Sequence, residues 1–137
     1  MRAHYLLDTS AMGIHLLNDR GGEFVADCLR KGAVACVLSR FELAMFLHRQ
    51  RVEPKDIDRY WRVYRTVLSR ICPVDEPVAE AAVTLRRNAT ARLPMADACI
   101  AACASVLGVP LVHADEHFNV VSDQVTMIDL RDKGMTE

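Results

Sequence analysis

The length of 137 residues suits one domain that can bury a core without disulfides or a structural metal. Apolar residues make up 51% and charged residues 26%, an ordinary globular composition. No apolar run reaches the roughly 20 residues of a membrane span, and no basic then apolar leader precedes the first predicted strand. The net charge of −1 excludes the overall positive field of many nucleic-acid-binding proteins.

Short apolar strands alternate with helices along the chain. In chain order we predict strand 3–7, helix 10–18, helix 22–31, strand 33–38, helix 40–51, helix 54–69, strand 70–74, helix 77–88, helix 95–107, strand 109–113 and strand 125–129. Continuous apolar strands joined by helices favour a mainly parallel sheet covered on both faces. The predicted fold is therefore a three-layer α/β domain with about five strands.

Five cysteines lie inside the apolar segments. They are Cys28, Cys36, Cys72, Cys99 and Cys103. None forms a CxxC pair, and although Cys99 and Cys103 could share a helix face, no His or Cys pair at zinc-finger spacing accompanies them. We therefore expect buried, reduced thiols and a cytoplasmic protein.

Four carboxylates fall near the carboxyl ends of predicted strands. Asp8 follows the first strand directly, and Asp115 lies two residues past the fourth. Glu42 is in the first turn of the helix after the second strand, and Asp97 is in the first turns of the helix before the fourth. Right-handed crossovers return helix N-termini to the carboxyl edge of the sheet, where ligand crevices lie. Four converging carboxylates repel one another without a cation, which favours a Mg²⁺ or Mn²⁺ site.

Three of these acids have a purely structural alternative. Asp8, followed by Thr9-Ser10, could serve only as a turn and helix cap. The segment 39–42 matches the capping box, in which the glutamate reaches back to the amide of the cap residue. Asp115 could cap a short turn ahead of residues 117–118. The occurrence of all four acids at strand ends is more specific than any one of them.

Asp97 is harder to explain as a cap. If Pro94 occupies the first helical position, Asp97 is the fourth, beyond the usual capping sites. The residues that follow, ACIAACASVL, are nearly all apolar and predict a helix buried almost all round. A charged group entering such a core costs several kcal/mol unless it is paired or bound to metal. A functional role is therefore favoured for Asp97.

Four segments carry a resemblance to a known family. They are LLDTSAM (6–12), LSRFELAMF (38–46), LPMADACIAACASVLGVPLV (93–112) and ADEHF (114–118). In this order they resemble the PIN-domain family and, within it, the VapC-type toxins of bacterial toxin–antitoxin pairs. The LDTS opening and the LPxADAxIAA block are specific together, and the match covers nearly the whole chain.

The resemblance implies a Rossmann-like nuclease domain over residues 1–132, followed by a polar tail at 133–137. It implies a cytoplasmic endoribonuclease that uses Mg²⁺, with Mn²⁺ as a substitute, and that leaves 5′-phosphate and 3′-hydroxyl ends on its RNA substrate. Such proteins are usually homodimers and are held inactive by a cognate antitoxin protein.

The family's acidic residues match Asp8, Glu42, Asp97 and Asp115. The mechanism implied is metal-assisted phosphodiester hydrolysis, in which Asp8, Asp97 and Asp115 are metal ligands, directly or through water. Glu42 would be a further ligand or would orient the attacking water. The small hydroxyl residue that relatives carry beside the metal corresponds loosely to Thr9 or Ser10.

The segment Val112–Asp115 departs from the family pattern. Relatives commonly have Thr or Ser and then a basic residue before the last acid, where this chain has His113-Ala114. This chain therefore lacks the hydroxyl group that can hold a metal-bound water, and it also lacks the basic residue that would contact phosphate. A degenerate, catalytically weak PIN domain is therefore an alternative. A non-catalytic, receiver-like module is another, although such modules usually carry adjacent acids after the first strand and a lysine at a late strand end. Here Asp8 stands alone and Lys133 falls in the tail.

A metal-free mechanism offers a further alternative. His113 and His117 could act as an acid–base pair on the RNA 2′-hydroxyl. That reaction leaves a cyclic phosphate, so the products distinguish the two mechanisms. A histidine at the end of a buried strand is more often a core residue.

Arginines supply 14 of the 17 basic residues, and their planar fork suits phosphate. The densest basic stretch consists of Arg49, Arg51, Lys55, Arg59, Arg62 and Arg65, and its second half is interleaved with Tyr60, Trp61 and Tyr64. It could form an RNA groove in which arginines contact phosphates and an aromatic ring stacks on a base. The alternative is a solvated arginine face with the aromatic rings in the core or at a protein interface. A second candidate phosphate contact precedes Asp97 and consists of Arg86, Arg87 and Arg92.

Overall fold

The structure, a computed structural model, describes residues 2–135, with side chains described for 2–132. Its helices and strands are β1 (Tyr5–Leu7), α1 (Thr9–Leu16), α2 (Gly22–Lys31), β2 (Ala33–Cys36), α3 (Leu38–Arg49), α4 (Pro54–Val67), β3 (Arg70–Cys72), α5 (Glu76–Arg87), α6 (Met95–Leu107), β4 (Leu111–His113), β5 (Met127–Asp129) and α7 (Leu130–Met135). A 3₁₀ helix covers Glu116–Val121. Every predicted strand and helix is present within a few residues of its predicted bounds.

Two short helices were not predicted. The 3₁₀ helix and α7 have six residues each, too few to show a helical repeat of apolar positions. The tail predicted at 133–137 overlaps the end of α7, and residues 136–137 lie outside the described part of the chain. The domain boundary at 132 therefore stays a prediction.

The five strands form one sheet in the order β3-β2-β1-β4-β5, and all four pairings are parallel. In its centre, Leu6 is in register with Val34 on one side and Leu111 on the other. The prediction of a three-layer α/β fold with a parallel sheet is confirmed.

Successive residues of each strand supply the two cores on opposite faces of the sheet. Leu6 packs in a cluster with Ile100 and Phe118 on the α5–α6 side, and all three are fully buried. Its neighbour Leu7 packs with Met12 and other residues of the helices on the opposite side. Burial of one such leucine side chain contributes about 1.5–3 kcal/mol, and burial on both faces explains why the strands are apolar throughout.

Helix α6 is the most apolar of the described helices and carries Asp97 in its first turn. Its buried stretch from Ile100 to Ala104 is mostly alanine, which lets the helix lie close to its neighbours. Pro94 proves to be the N-cap and not the first helical residue, because its ψ of 149° is extended, so Asp97 occupies the third position. The helix ends at Gly108, whose positive φ of 68° favours glycine. No helix within residues 2–135 is long and apolar enough to span a membrane.

The order of the strands creates a switch point between β1 and β4. The chain adds β2 and β3 on one side of β1, then places β4 and β5 on the other side. The backbone N–H of Asp8 donates to the carbonyl oxygen of Val112 at 3.1 Å and joins the carboxyl ends of the two central strands. In a sheet of this kind the crevice for a ligand lies at that point.

Candidate active site

Asp8 lies at the end of β1 and is also the N-cap of α1. Its Oδ1 accepts a hydrogen bond from the backbone N–H of Ala11 at 2.9 Å. The side chain is 3% exposed, which is unusual for an aspartate. The predicted capping role is therefore real, but a cap does not require burial, and a second role for the carboxylate stays open.

The hydroxyl groups of Ser10 and Thr9 form hydrogen bonds with two of the acids. Ser10 Oγ donates to the carboxylate of Asp8 at 2.8 Å and accepts from the backbone N–H of Ala114 at 2.9 Å. Thr9 Oγ1 donates to Glu42 Oε1 at 2.7 Å. The residues predicted as supporting groups thus hold one acid each, Ser10 for Asp8 and Thr9 for Glu42.

The capping-box alternative for Glu42 is wrong. Helix α3 begins at Leu38, and its N-cap residue Val37 makes no capping hydrogen bond through its side chain. Ser39 is instead fully buried within the first turn, where its hydroxyl lies 3.0 Å from that of Thr9. Because the helix starts earlier than the sequence motif implies, the carboxylate of Glu42 is free to face α1.

Asp97 and Asp115 approach the same point from different elements. Asp97 is in the first turn of α6 with a side chain 13% exposed, and Asp115 is the N-cap of the 3₁₀ helix with a side chain 32% exposed. Asp115 Oδ1 accepts from the backbone N–H of His117 at 2.9 Å. The Nδ1 atom of His117 lies 3.3 Å from a carboxylate oxygen of each acid.

Two of the four acids have pKa values well above the ordinary value of an aspartate. Burial, opposed by hydrogen bonds from Ala11 and Ser10, raises the pKa of Asp8 from its ordinary 3.8 to about 7. Burial, together with the negative charges of Asp115 and Glu42, raises the pKa of Asp97 to about 6. Both acids therefore resist ionisation in the absence of a cation.

All four predicted acids line one cleft of about 620 Å³. Apolar side chains form about half of the remaining wall, which also includes Asp19 and a basic residue, Arg49. The sequence pattern indicated Arg49 only as part of the basic stretch, and the apolar residues of this wall were not predicted. Residues 42, 45, 46 and 49 of α3 follow the spacing of one helix face, and that spacing was the available signal.

The donor set of the cleft suits a divalent cation. Among the ion pairs of the described residues, the only partner of these four carboxylates is His117. Carboxylate oxygens are the ligands that Mg²⁺ and Mn²⁺ prefer, and a cation would offset the cost of ionising two buried acids. Ligand atoms of Asp97, Asp115 and His117 lie within 4.8 Å of one another.

His113 does not enter this cleft. It is 1% exposed, its ring centroid lies 5.1 Å from that of Phe118, and its Nδ1 accepts from the backbone N–H of Asp115 at 3.1 Å. Burial lowers the pKa of His113, so the ring is neutral at pH 7. This environment is that of a core histidine, which weakens the alternative of an acid–base pair.

The five arginines predicted to contact RNA are exposed, and within the described residues none of them lines the cleft. They are Arg59, Arg62, Arg86, Arg87 and Arg92. Arg59 pairs with Asp56 on its own helix at 3.1 Å. The interleaved rings of Trp61 and Tyr64 are 9% and 2% exposed, so they belong to the core and are not available to stack on a base. Contact of these arginines with RNA stays a prediction.

The chain is similar to one described protein family and to several solved structures. A family model described as PIN domain matches residues 5–124. The structure of FitAcB from Neisseria gonorrhoeae is 21% identical, with 93% of this chain and 98% of that chain covered and a TM-score of 0.73. DNA-bound VapBC from Salmonella typhimurium is 16% identical, with coverage of 95% and 99% and a TM-score of 0.74. A toxin–antitoxin complex from Klebsiella pneumoniae is 16% identical, with coverage of 92% and 97% and a TM-score of 0.72.

At these identities the likeness to solved structures shows a shared fold. No curated protein sequence matches the chain significantly. The family match covers both the central strands and the cleft, since all four acids lie within the matched residues.

Proposed function

The chain belongs to the PIN domain family, and on that premise we propose that it is a metal-dependent endoribonuclease and the toxin of a type II toxin–antitoxin pair. The observation that carries the proposal is the convergence of four carboxylates in one cleft, at the switch point of the sheet. Two of these acids have raised pKa values, which is typical of functional sites.

In this proposal each acid has a role set by its position. Asp8, Asp97 and Asp115 hold the metal, directly or through water, and Glu42 is a further ligand or orients the attacking water. Ser10 and Thr9 keep the carboxylates of Asp8 and Glu42 oriented through hydrogen bonds of 2.8 and 2.7 Å. When bound, Mg²⁺ or Mn²⁺ lowers the pKa of a coordinated water and offsets charge on the phosphate oxygens.

The cleft offers RNA a phosphate contact next to the acids. Arg49 lies in the last turn of α3 and lines the same cleft as Asp97 and Asp115. Its guanidinium is suited to a phosphate neighbouring the one that is cleaved. This contact would replace, in part, the basic residue that relatives carry before the last acid.

The rim of the cleft suits a protein partner. Leu17, Phe41 and Met45 line it and are 45%, 66% and 39% exposed. Neighbouring exposed apolar side chains of this kind are typical of a surface that binds a protein partner. An antitoxin segment with apolar side chains would cover this surface and block the acids. The complexes named above, one of them described as a toxin–antitoxin complex, support such a partner. A homodimer is proposed from the family resemblance.

The five cysteines are free thiols, and four of them are buried. This state supports the proposal that the protein works in a reducing cytoplasm.

The test is cleavage of total cellular RNA by purified protein, freed of any partner, with Mg²⁺, Mn²⁺ or EDTA. We expect discrete products with 5′-phosphate ends that both EDTA and the Asp97→Asn variant abolish. Asp75→Asn is the matched control, because Asp75 also lies in the first-turn region of a helix, as the exposed N-cap of α5, but away from the cleft.

Two results would count against the proposal. Cleavage that survives in EDTA and leaves cyclic phosphates would favour the metal-free histidine mechanism. A folded protein that cleaves no RNA with any metal would favour the degenerate PIN domain, which binds a partner without catalysis.

A further inference from the structure

An imidazole stands beside two of the proposed metal ligands. The Nδ1 atom of His117 is 3.3 Å from Asp97 Oδ2 and 3.3 Å from Asp115 Oδ1. Metal–ligand distances of about 2.0–2.2 Å place neighbouring ligand atoms roughly 3.0–3.5 Å apart. Each nitrogen–oxygen distance is therefore one that two ligands of a single ion can have, and the ligand atoms of all three residues lie within 4.8 Å of one another.

The backbone holds His117 firmly at this position. Its N–H donates to Asp115 Oδ1 at 2.9 Å, which begins the 3₁₀ helix. The next residue, Phe118, is fully buried against the ring of His113, and Val121 at the end of the same 3₁₀ helix is fully buried as well. The side chain of His117 is nevertheless 57% exposed, so packing in the core does not account for its orientation.

Two of these three groups are also close together in the sequence. Asp115 and His117 are two residues apart on one short turn, whereas Asp97 comes from the start of α6. The turn thus places a carboxylate and an imidazole next to the first turn of α6, which carries the third candidate ligand, Asp97.

We propose that His117 is a metal ligand through Nδ1, in addition to Asp97 and Asp115, and that it shifts the preference of the site from Mg²⁺ toward Mn²⁺ and Zn²⁺. This inference rests on the metal site of the proposed function. Neutral imidazole is a good ligand for Zn²⁺ and other transition metals, whereas Mg²⁺ favours oxygen ligands and keeps several waters. A site with only carboxylates lacks this source of discrimination.

The test measures ion binding directly, without RNA. Electron spin-echo spectroscopy of Mn²⁺ bound to the full chain detects the coupling of a coordinated ¹⁴N nucleus, and titration calorimetry gives the Kd of Mn²⁺, Zn²⁺ and Mg²⁺. We expect the ¹⁴N coupling in the natural protein and its loss in His117→Ala. In that variant the Kd of Mn²⁺ and Zn²⁺ should rise about tenfold or more, which is about 1.4 kcal/mol, while the Kd of Mg²⁺ changes much less.

Two variants serve as controls. His48→Ala removes an exposed histidine at the end of α3, outside the cleft, and should leave both the coupling and every Kd unchanged. Asp97→Asn should weaken binding of all three ions, because it removes an oxygen ligand that they share. Thermal unfolding of His117→Ala in EDTA should remain one cooperative transition, which shows that the variant is folded, with a small loss of stability because the imidazole contacts Asp97 and Asp115.

The outcomes separate this inference from the proposed function. Mn²⁺ binding that depends on Asp97 but shows no ¹⁴N coupling, with an unchanged Kd in His117→Ala, would overturn the role of His117 alone. A ¹⁴N coupling that persists in His117→Ala would overturn it as well. If the natural protein binds none of the three ions, both the inference and the metal-dependent function fail.

Discussion

Replacement of Asp8 by asparagine should stabilise the metal-free protein at neutral and alkaline pH. Burial raises the pKa of Asp8 from 3.8 to about 7. Each tenfold change in an acid dissociation constant is worth about 1.4 kcal/mol, so ionising this carboxyl in the folded chain costs about 4 kcal/mol. Asparagine removes that cost and still offers an oxygen to the backbone N–H of Ala11, so the cap of α1 is retained.

The direction of the pH dependence of stability follows from whether the folded or the unfolded chain binds the proton of Asp8. Below about pH 4 the carboxyl is protonated in the folded and the unfolded chain, and the penalty is absent. Between about pH 4 and pH 7 the unfolded chain loses the proton while the folded chain keeps it, so the free energy of unfolding falls as pH rises. The Asp8→Asn variant should therefore gain about 4 kcal/mol at pH 8 and about 1 kcal/mol at pH 4.5.

Urea unfolding in EDTA, followed by fluorescence of the single tryptophan, measures this gain. Trp61 is 9% exposed and reports on the core. Asp75→Asn is the control, because Asp75 also caps a helix through its side chain but is exposed, and its stability should change by less than about 0.5 kcal/mol at either pH. An excess of Mg²⁺ should stabilise the natural protein more than Asp8→Asn.

A gain that is equal at pH 4.5 and pH 8 would refute the reasoning, because burial of a charge predicts a pH-dependent difference. A loss of stability at both values would show that the ionised carboxylate stabilises the fold through its hydrogen bonds.

Three further predictions concern the core, the backbone and the cleft. Phe118→Ala should lower the free energy of unfolding by about 3–5 kcal/mol in urea titrations, because the ring is fully buried; a loss below about 1 kcal/mol would contradict this packing. Gly32→Ala should cost more than about 2 kcal/mol in thermal or urea unfolding, since Gly32 has a φ of 124° and an added Cβ would clash with the carbonyl oxygen of Arg2. Arg49→Ala should raise the KM for RNA about tenfold without a change in unfolding, whereas Arg62→Ala, outside the cleft, should leave KM unchanged. Equal changes of KM in the two arginine variants would contradict the proposed contact between Arg49 and RNA.

The sequence predicted the order of strands and helices and the parallel sheet, because both depend on local patterns. Continuous apolar runs such as 33–36 are buried on both faces, and a parallel sheet between two layers of helices provides that environment. The positions of Asp8 and Asp115 just past strand ends were also readable, since strand ends share one edge of such a sheet. Whether these residues bind metal stays a prediction.

The structure alone decided how the side chains meet. Helix α3 starts at Leu38, one residue before the serine of the predicted capping box. Pro94 is the N-cap of α6, so Asp97 is the third helical residue and not the fourth as predicted. Helix ends depend on tertiary packing as well as on local sequence.

The cleft wall and the place of His117 depend on contacts between residues far apart in the chain. The bond from Thr9 to Glu42 spans 33 positions, and the approach of His117 to Asp97 depends on where α6 starts relative to β4. Local propensity carries no information on such distances, which the register of the sheet and the packing of α6 determine. The sequence by itself therefore determined the fold and the edge at which the acids gather, and the tertiary structure decided which groups surround them.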